Sequence, residues 1–179
     1  AADESISYLE KLVVKKQAIK QGMMQELLTG RTRLAGFSTP WGESTIGELF
    51  EVSAGGDWDK ANFTRTQSAR NKYAVLANAL QPGAVQGWSP YFTSPGDSLT
   101  ITGRGDVGKA VYRSDPYVPI VRLIALVPKG DDSAQFYADY INARVNFPLE
   151  STGVPQLTAP QVRSIEVFRP PALEQRAIA

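Results

Sequence analysis

An α+β fold is what this sequence predicts: a long N-terminal helix of the coiled-coil type, followed by a mainly β domain with small helices. Three observations predict it. Residues 3–28 hold no proline and one glycine and are rich in Leu, Met, Lys, Gln and Glu, all good helix formers. Every proline but Pro40 and Pro171 falls in residues 41–170, where short β-type runs alternate with turn pairs. The tail from Pro170 then returns to a helical pattern.

At about 100° per residue, Ile6, Leu9, Leu12, Val13, Ile19, Met23, Met24 and Leu27 share one broad face of the first helix. Lys16 and Lys20 interrupt that face, which suits packing on another helix where lysine stems can snorkel. Gly22 should cost roughly 1 kcal/mol relative to alanine. Thr29-Gly30 supplies the stop. Strands are expected at Ile46 to Val52, Leu99 to Thr102, Ala110 to Arg113, Val118 to Val127 and Ile165 to Phe168. Gly55-Gly56, Pro82-Gly83, Pro95-Gly96, Lys129-Gly130 and Thr152-Gly153 should turn the chain between them. Asp132 to Arg144 reads as a helix with Asp131 or Asp132 as its N-cap, and a short helical turn should follow Thr158. Pro170-Pro171 opens a last helix. Both ends lie inside helical patterns, as expected of a segment of a longer protein.

The chain of 179 residues has neither cysteine nor histidine. Disulfides, Ser-His-Asp or Cys-His catalysis, and zinc sites built on Cys or His are therefore excluded. No apolar run reaches the ~18 residues of a membrane span, and the charged N-terminus lacks the small-residue cleavage site of a secretory signal. We expect no membrane association and a cytoplasmic location. The net charge of +1 hides an asymmetry: residues 60–113 carry seven basic and two acidic side chains. Such a window is a candidate polyanion footprint, although a solvated surface has the same composition.

Gly103-Arg104-Gly105-Asp106-Val107-Gly108-Lys109-Ala110 fits the dinucleotide pattern G-x-G-x-x-G. It also approaches a phosphate loop, with Ala110 where a Ser or Thr would hold magnesium. Both motifs need a helix to follow, because the phosphate sits on a helix N-terminus. Here Leu99 to Thr102 and Ala110 to Arg113 flank the loop as strands, so a glycine-rich strand connection is the expectation. A small nucleotide- or methyl-donor-binding enzyme using loop 103–109 is the alternative. Ser114-Asp115-Pro116-Tyr117 is similar to the Asx-Pro-Pro-aromatic motif of amino-group DNA methyltransferases, but lacks the second proline. Asp57, Asp59, Asp131 and Asp132 match no calcium-loop spacing. Trp41, Trp58 and Trp88 are either core or stacking surfaces.

Four strings resemble those of type I restriction-modification specificity subunits, in the family's order. They are Ile19 to Leu34 (IKQGMMQELLTGRTRL), the glycine-rich strand pair Ile101 to Tyr112, Ser151 to Leu157 (STGVPQL), and Arg169 to Ile178 (RPPALEQRAI). The resemblance implies a spacer helix over 1–36, a target recognition domain over 37–170 and the start of a second spacer helix at 171–179. It implies sequence-specific reading of one half of a bipartite double-stranded DNA target, without catalysis and without a cofactor or metal. The partners implied are modification (methyltransferase) subunits, a restriction (motor-nuclease) subunit, and a second specificity half or a second copy joined through the spacer helix. Where two recognition domains are usual, one is present, so the chain should be an excised fragment or a half-subunit. The DNA-binding candidates are Lys60, Arg65, Gln67, Arg70, Asn71 and Lys72 in one stretch, with Arg104, Gly105, Lys109 and Arg113 around the glycine-rich turn. Arg suits guanine, Gln and Asn suit adenine, and any basic side chain suits phosphate.

Overall fold

The computed structural model describes residues 2–78, 84–147 and 155–179. The expected turns at Pro82-Gly83 and Thr152-Gly153, and the first part of the 151–157 string, lie outside the described residues. Helix α1 (Ala2–Leu27) has 26 residues and so runs about 39 Å at ~1.5 Å per residue. It stops as the sequence indicates, with Gly30 in the left-handed region at φ +69°. A side chain there would press on the Trp41 ring, 3.2 Å from the Cβ position. Only the last turns of α1 enter the core, through Met24, Leu27 and Leu28. Ile6, Leu9, Val13, Ile19 and Met23 are all more than half exposed, so the chain itself leaves most of the apolar stripe uncovered.

Among the described residues, nine strands form three sheets. β1 (Gly42–Thr45) pairs with β9 (Glu166–Arg169). β2 (Phe50–Ala54), β8 (Leu123–Pro128), β5 (Ser98–Thr102) and β6 (Ala110–Arg113) make an antiparallel sheet in that order. β4 (Val85–Ser89), β3 (Tyr73–Leu76) and β7 (Tyr117–Pro119) make a mixed sheet, with β3 and β7 parallel. The inner strands β5 and β8 are buried on both faces, while β2 leaves Glu51 and Ser53 exposed. Along β8, Ile124 and Leu126 join the main core under α3 (Ala134–Arg144), while Leu123 and Ala125 pack with Leu76 and Tyr117 of the mixed sheet. The two-residue side-chain period thus feeds two cores from one strand. Phe63, Val75, Val118 and Ile120 form a third cluster, with Trp58 against it.

Several expected boundaries shift. Ile46 to Val52 is not one strand. Thr45 and Glu48 form a capping box, which turns Ile46–Leu49 into a single turn, α2, before β2 begins. Val118 to Val127 is two strands in different sheets, separated by a tight turn at Ile120 to Leu123. Helix α3 is capped by Ser133, whose hydroxyl accepts from the Phe136 amide, and not by Asp131 or Asp132. The Asp132 carboxylate instead accepts from Arg169 at 3.0 and 3.1 Å and from Gln175 at 2.8 Å. β1, β3 and β4 were not foreseen. The short helix α4 (Ala159–Arg163) begins after Thr158 as expected.

The final helix, α5 (Ala172–Ile178), is pinned by two side chains with no exposure at all, Glu174 and Gln175. Glu174 accepts a two-pronged pair from Arg33, both contacts 2.6 Å, and a bond from the Trp41 indole at 3.0 Å. Gln175 donates to Asp132 and to the Pro170 carbonyl and accepts from the Ser133 amide at 2.7 Å. Every polar atom of this network has a partner, the condition under which buried polar groups stabilise a fold. It ties the connection after α1, through Arg33 and Trp41, and the start of α3 to the start of α5.

Candidate nucleic-acid interface

The basic residues of the 60–113 window collect in two places on the molecule. The first is the mixed sheet and the loop that borders it. Thr64 pairs with Trp88 of β4 as an extra ladder rung, at 2.9 and 2.8 Å, so the segment around it extends the sheet edge. Arg65 follows on that edge. Its guanidinium stacks over the Trp58 ring, 4.8 Å from the centroid, and donates to the Gln86 carbonyl at 3.1 Å. Trp58 is in turn set edge-on against Phe63, at 5.3 Å between centroids. Arg65 is therefore an exposed cation on a fixed aromatic base. Lys60, Gln67, Arg70 and Lys72 are exposed nearby in the chain. The Lys72 ammonium lies 5.1 Å from the centroid of Tyr73, which meets Phe92 edge-on at 5.1 Å.

Asn71 does not join them. It is 5% exposed, and its amide donates to the Asn62 carbonyl at 2.7 Å and the Trp88 carbonyl at 3.2 Å. A buried amide that satisfies two carbonyls fixes the loop and is not available to adenine. Arg113 also departs from its expected place. It is 9% exposed and donates through Nε to the Thr100 hydroxyl at 3.1 Å. Burial pulls its pKa below the ordinary value, because the charged form loses hydration.

The second place is the connection between β5 and β6. Loop 103–109 links two antiparallel strands, Ile101 pairing with Ala110, and no helix follows it. The phosphate-loop and dinucleotide readings therefore lose the helix N-terminus they need. Gly105 and Gly108 adopt φ +74° and +82°, which glycine tolerates without strain. Arg104, Gly105 and Lys109 are exposed. The Thr102 hydroxyl braces the turn from inside, donating to the Asp106 carbonyl and accepting from the Lys109 amide at 3.0 Å. Asn78, just beyond β3, holds it from outside: its side-chain oxygen accepts from the Gly103 amide at 2.5 Å, and its amide donates to the Arg104 carbonyl. Lys72 and Asn78 bracket β3, so Lys72 stands roughly 20 Å from the glycine-rich turn at ~3.3 Å per residue, while Arg65, bonded to Gln86 across from Val75 and Leu76, sits nearer that turn.

Sequence reasoning missed one basic residue. Arg122 is exposed and lies against the glycine-rich turn, its carbonyl 2.5 Å from where a Cβ on Gly103 would be. It escaped notice because residues 118–127 read as uninterrupted strand. Gln156 pairs through its backbone with Arg104, and its side chain is exposed. Of the tryptophans, Trp41 is tied to Glu174 and Phe136, and Trp58 carries Arg65. Asp59 accepts from Tyr91 and Asn62, bonds that hold its carboxyl below the ordinary range, with Asn62 contributing most. Among the described residues no three potential metal ligands cluster, and no helix is long and apolar enough to cross a membrane.

Comparison with known proteins agrees on one family. Residues 39–179 match the family model described as the type I restriction modification DNA specificity domain. S.MpnORF507P of Mycoplasma pneumoniae, a type I specificity subunit by name, is 29% identical over 129 residues, covering 72% of this chain and 35% of that protein. A second, S.MpnORF89P from the same organism, is 28% identical over 134 residues, covering 75% and 40%. The chain thus spans little more than a third of the length of these curated relatives. Among solved structures, the type I restriction-modification S subunit of M. genitalium superposes with a TM-score of 0.75 at 17% identity, over 98% of this chain and 48% of that one. The HsdS subunit of Thermoanaerobacter tengcongensis gives 0.65 at 17% identity, over 98% and 45%. At that identity the likeness concerns the fold.

Proposed function

Because this chain belongs to the type I restriction-modification DNA specificity domain family, we propose that it reads one half of a bipartite duplex DNA target and leaves the chemistry to partner subunits. The observation that carries the reading is the match over 39–179, which contains both exposed basic groups. Residues 37–170 act as the target recognition domain, and 1–36 and 171–179 as spacer-helix segments. Arg65 is the leading base reader: it is exposed, and Trp58 and the Gln86 carbonyl hold it in one orientation. Gln67 and Arg70 lie on the same loop. Lys60 and Lys72 suit phosphate contact, and Lys109 on the glycine-rich turn does too.

The uncovered apolar stripe of α1 supports a coiled coil with another helix, either a second specificity half or a second copy of the chain. The same helical region is the docking surface for modification subunits, and a restriction subunit joins that assembly in the cytoplasm. The test is selection of duplexes from a random pool by the chain together with its methylating partner. One enriched half-site is expected. Arg65→Ala should relax preference at one base position, at a cost of about 1–3 kcal/mol. Failure to retain any duplex at low salt would sink the reading.

A further inference from the structure

Resting on the DNA-recognition reading, we propose that the glycine-rich turn and the Val121–Arg122 turn together form a phosphate clamp: they grip the DNA backbone at the edge of the site, and bases are read elsewhere. Three observations converge on this. The first is proximity. Gly103 has no room for a side chain because the Arg122 carbonyl would lie 2.5 Å from its Cβ. Arg104 is the next residue, so two exposed arginines from separate segments start from neighbouring backbone.

The second observation is what the turn offers between them. Among the described residues, nothing accepts the amide N–H of Gly105 or Asp106. Gly105 is exposed, at φ +74°, and a Cβ there would meet nothing within 4 Å. Successive backbone amides left unpaired in such a turn can cradle an anion. Two carboxylates stand near and oppose an anion: Asp106 on the turn itself, and Asp57 in the groove that Arg122 also lines.

The third observation is rigidity and spacing. The glycine-rich turn is braced from both sides by Thr102 and Asn78, and the neighbouring turn is held by the Gly55 amide on the Leu123 carbonyl, 2.8 Å, and the Val121 amide on the Gly56 carbonyl, 2.8 Å. The clamp stands roughly 20 Å from Lys72, at the other end of β3. That exceeds the ~12 Å width of the major groove, so Lys72 and the clamp reach backbone on opposite sides of it.

Phosphate contacts fix register without carrying sequence. The experiment compares wild type, Arg104→Gln, Arg122→Gln and the double variant, each with its methylating partner. Fluorescence anisotropy is recorded on a selected 30-base-pair duplex and on a scrambled one, across a salt series. Each single change should flatten the slope of log K against log salt by about 0.9, and the double change by about 1.8. The ratio of selected to scrambled affinity should not change, and Arg122→Lys should restore the slope. An unaltered slope in the double variant overturns the clamp while leaving DNA recognition intact. A collapsed ratio at constant slope overturns it too, because the arginines would then be base readers. Absence of binding by wild type overturns both.

Discussion

Single side chains decide which members of the basic window face solvent. Asn71 and Arg65 lie six residues apart and belong to the same loop, yet one closes two carbonyls inside the fold and the other lies exposed on an indole. Their sequence types allowed both roles. Glu174 shows how much one residue can hold. Its carboxylate has no exposure and answers both Arg33 and Trp41. Glu174→Ala would leave the Arg33 Nε and the Trp41 indole N–H without an acceptor, so it should destabilise the chain by about 3 kcal/mol. Chemical denaturation would measure this, and a loss below about 0.5 kcal/mol would contradict the latch.

At the scale of elements, the tight turn between β7 and β8 is the one that breaks local rules. Val121 and Arg122 have φ of 38° and 64°. Two consecutive positive values are the type I′ pattern, which favours Asn and Gly. A β-branched residue there is strained. Val121 is 49% exposed, so little burial is lost on replacing it. Val121→Asn should therefore stabilise by about 1 kcal/mol and raise Tm by about 3 °C, with calorimetry as the check. A lowered Tm would mean the valine packs better than its exposure indicates. The same turn explains a misread boundary. The stretch Val118 to Val127 lacks Gly, Asn and Asp, and its one local mark of interruption is Pro119, at the end of β7. In contrast, Thr45-Ile46-Gly47-Glu48 carries the capping-box spacing, so α2 was legible and was overlooked.

The whole molecule is organised around an imbalance. Its β body is sealed by three hydrophobic clusters, while the helix that leaves it carries an uncovered stripe. A helix of 26 residues with one apolar side gains most of its stability from a partner surface. Replacing Leu9, Val13 and Ile19 together by Lys should abolish concentration-dependent association, read by analytical ultracentrifugation, and leave the Tm of the β body unchanged. Association that survives this triple change would place the contact elsewhere.

Periodicity and punctuation in the sequence determined the long helix and its glycine stop, strands β5, β6 and β9, helix α3 within two residues, and the start of α4. Those features depend on neighbours within one or two turns of chain, so local spacing encodes them. The strings at residues 19–34 and 169–178 hold residues with clear local roles: Gly30 turns the chain against the Trp41 ring, and Glu174 and Gln175 close buried hydrogen bonds. Tertiary structure alone decided that Asn71 and Arg113 turn inward, that Arg122 joins Arg104, and that a single apolar run serves two sheets. Burial and pairing of this kind depend on which segments meet in space, beyond the reach of one turn or one strand, and no local pattern carries that information.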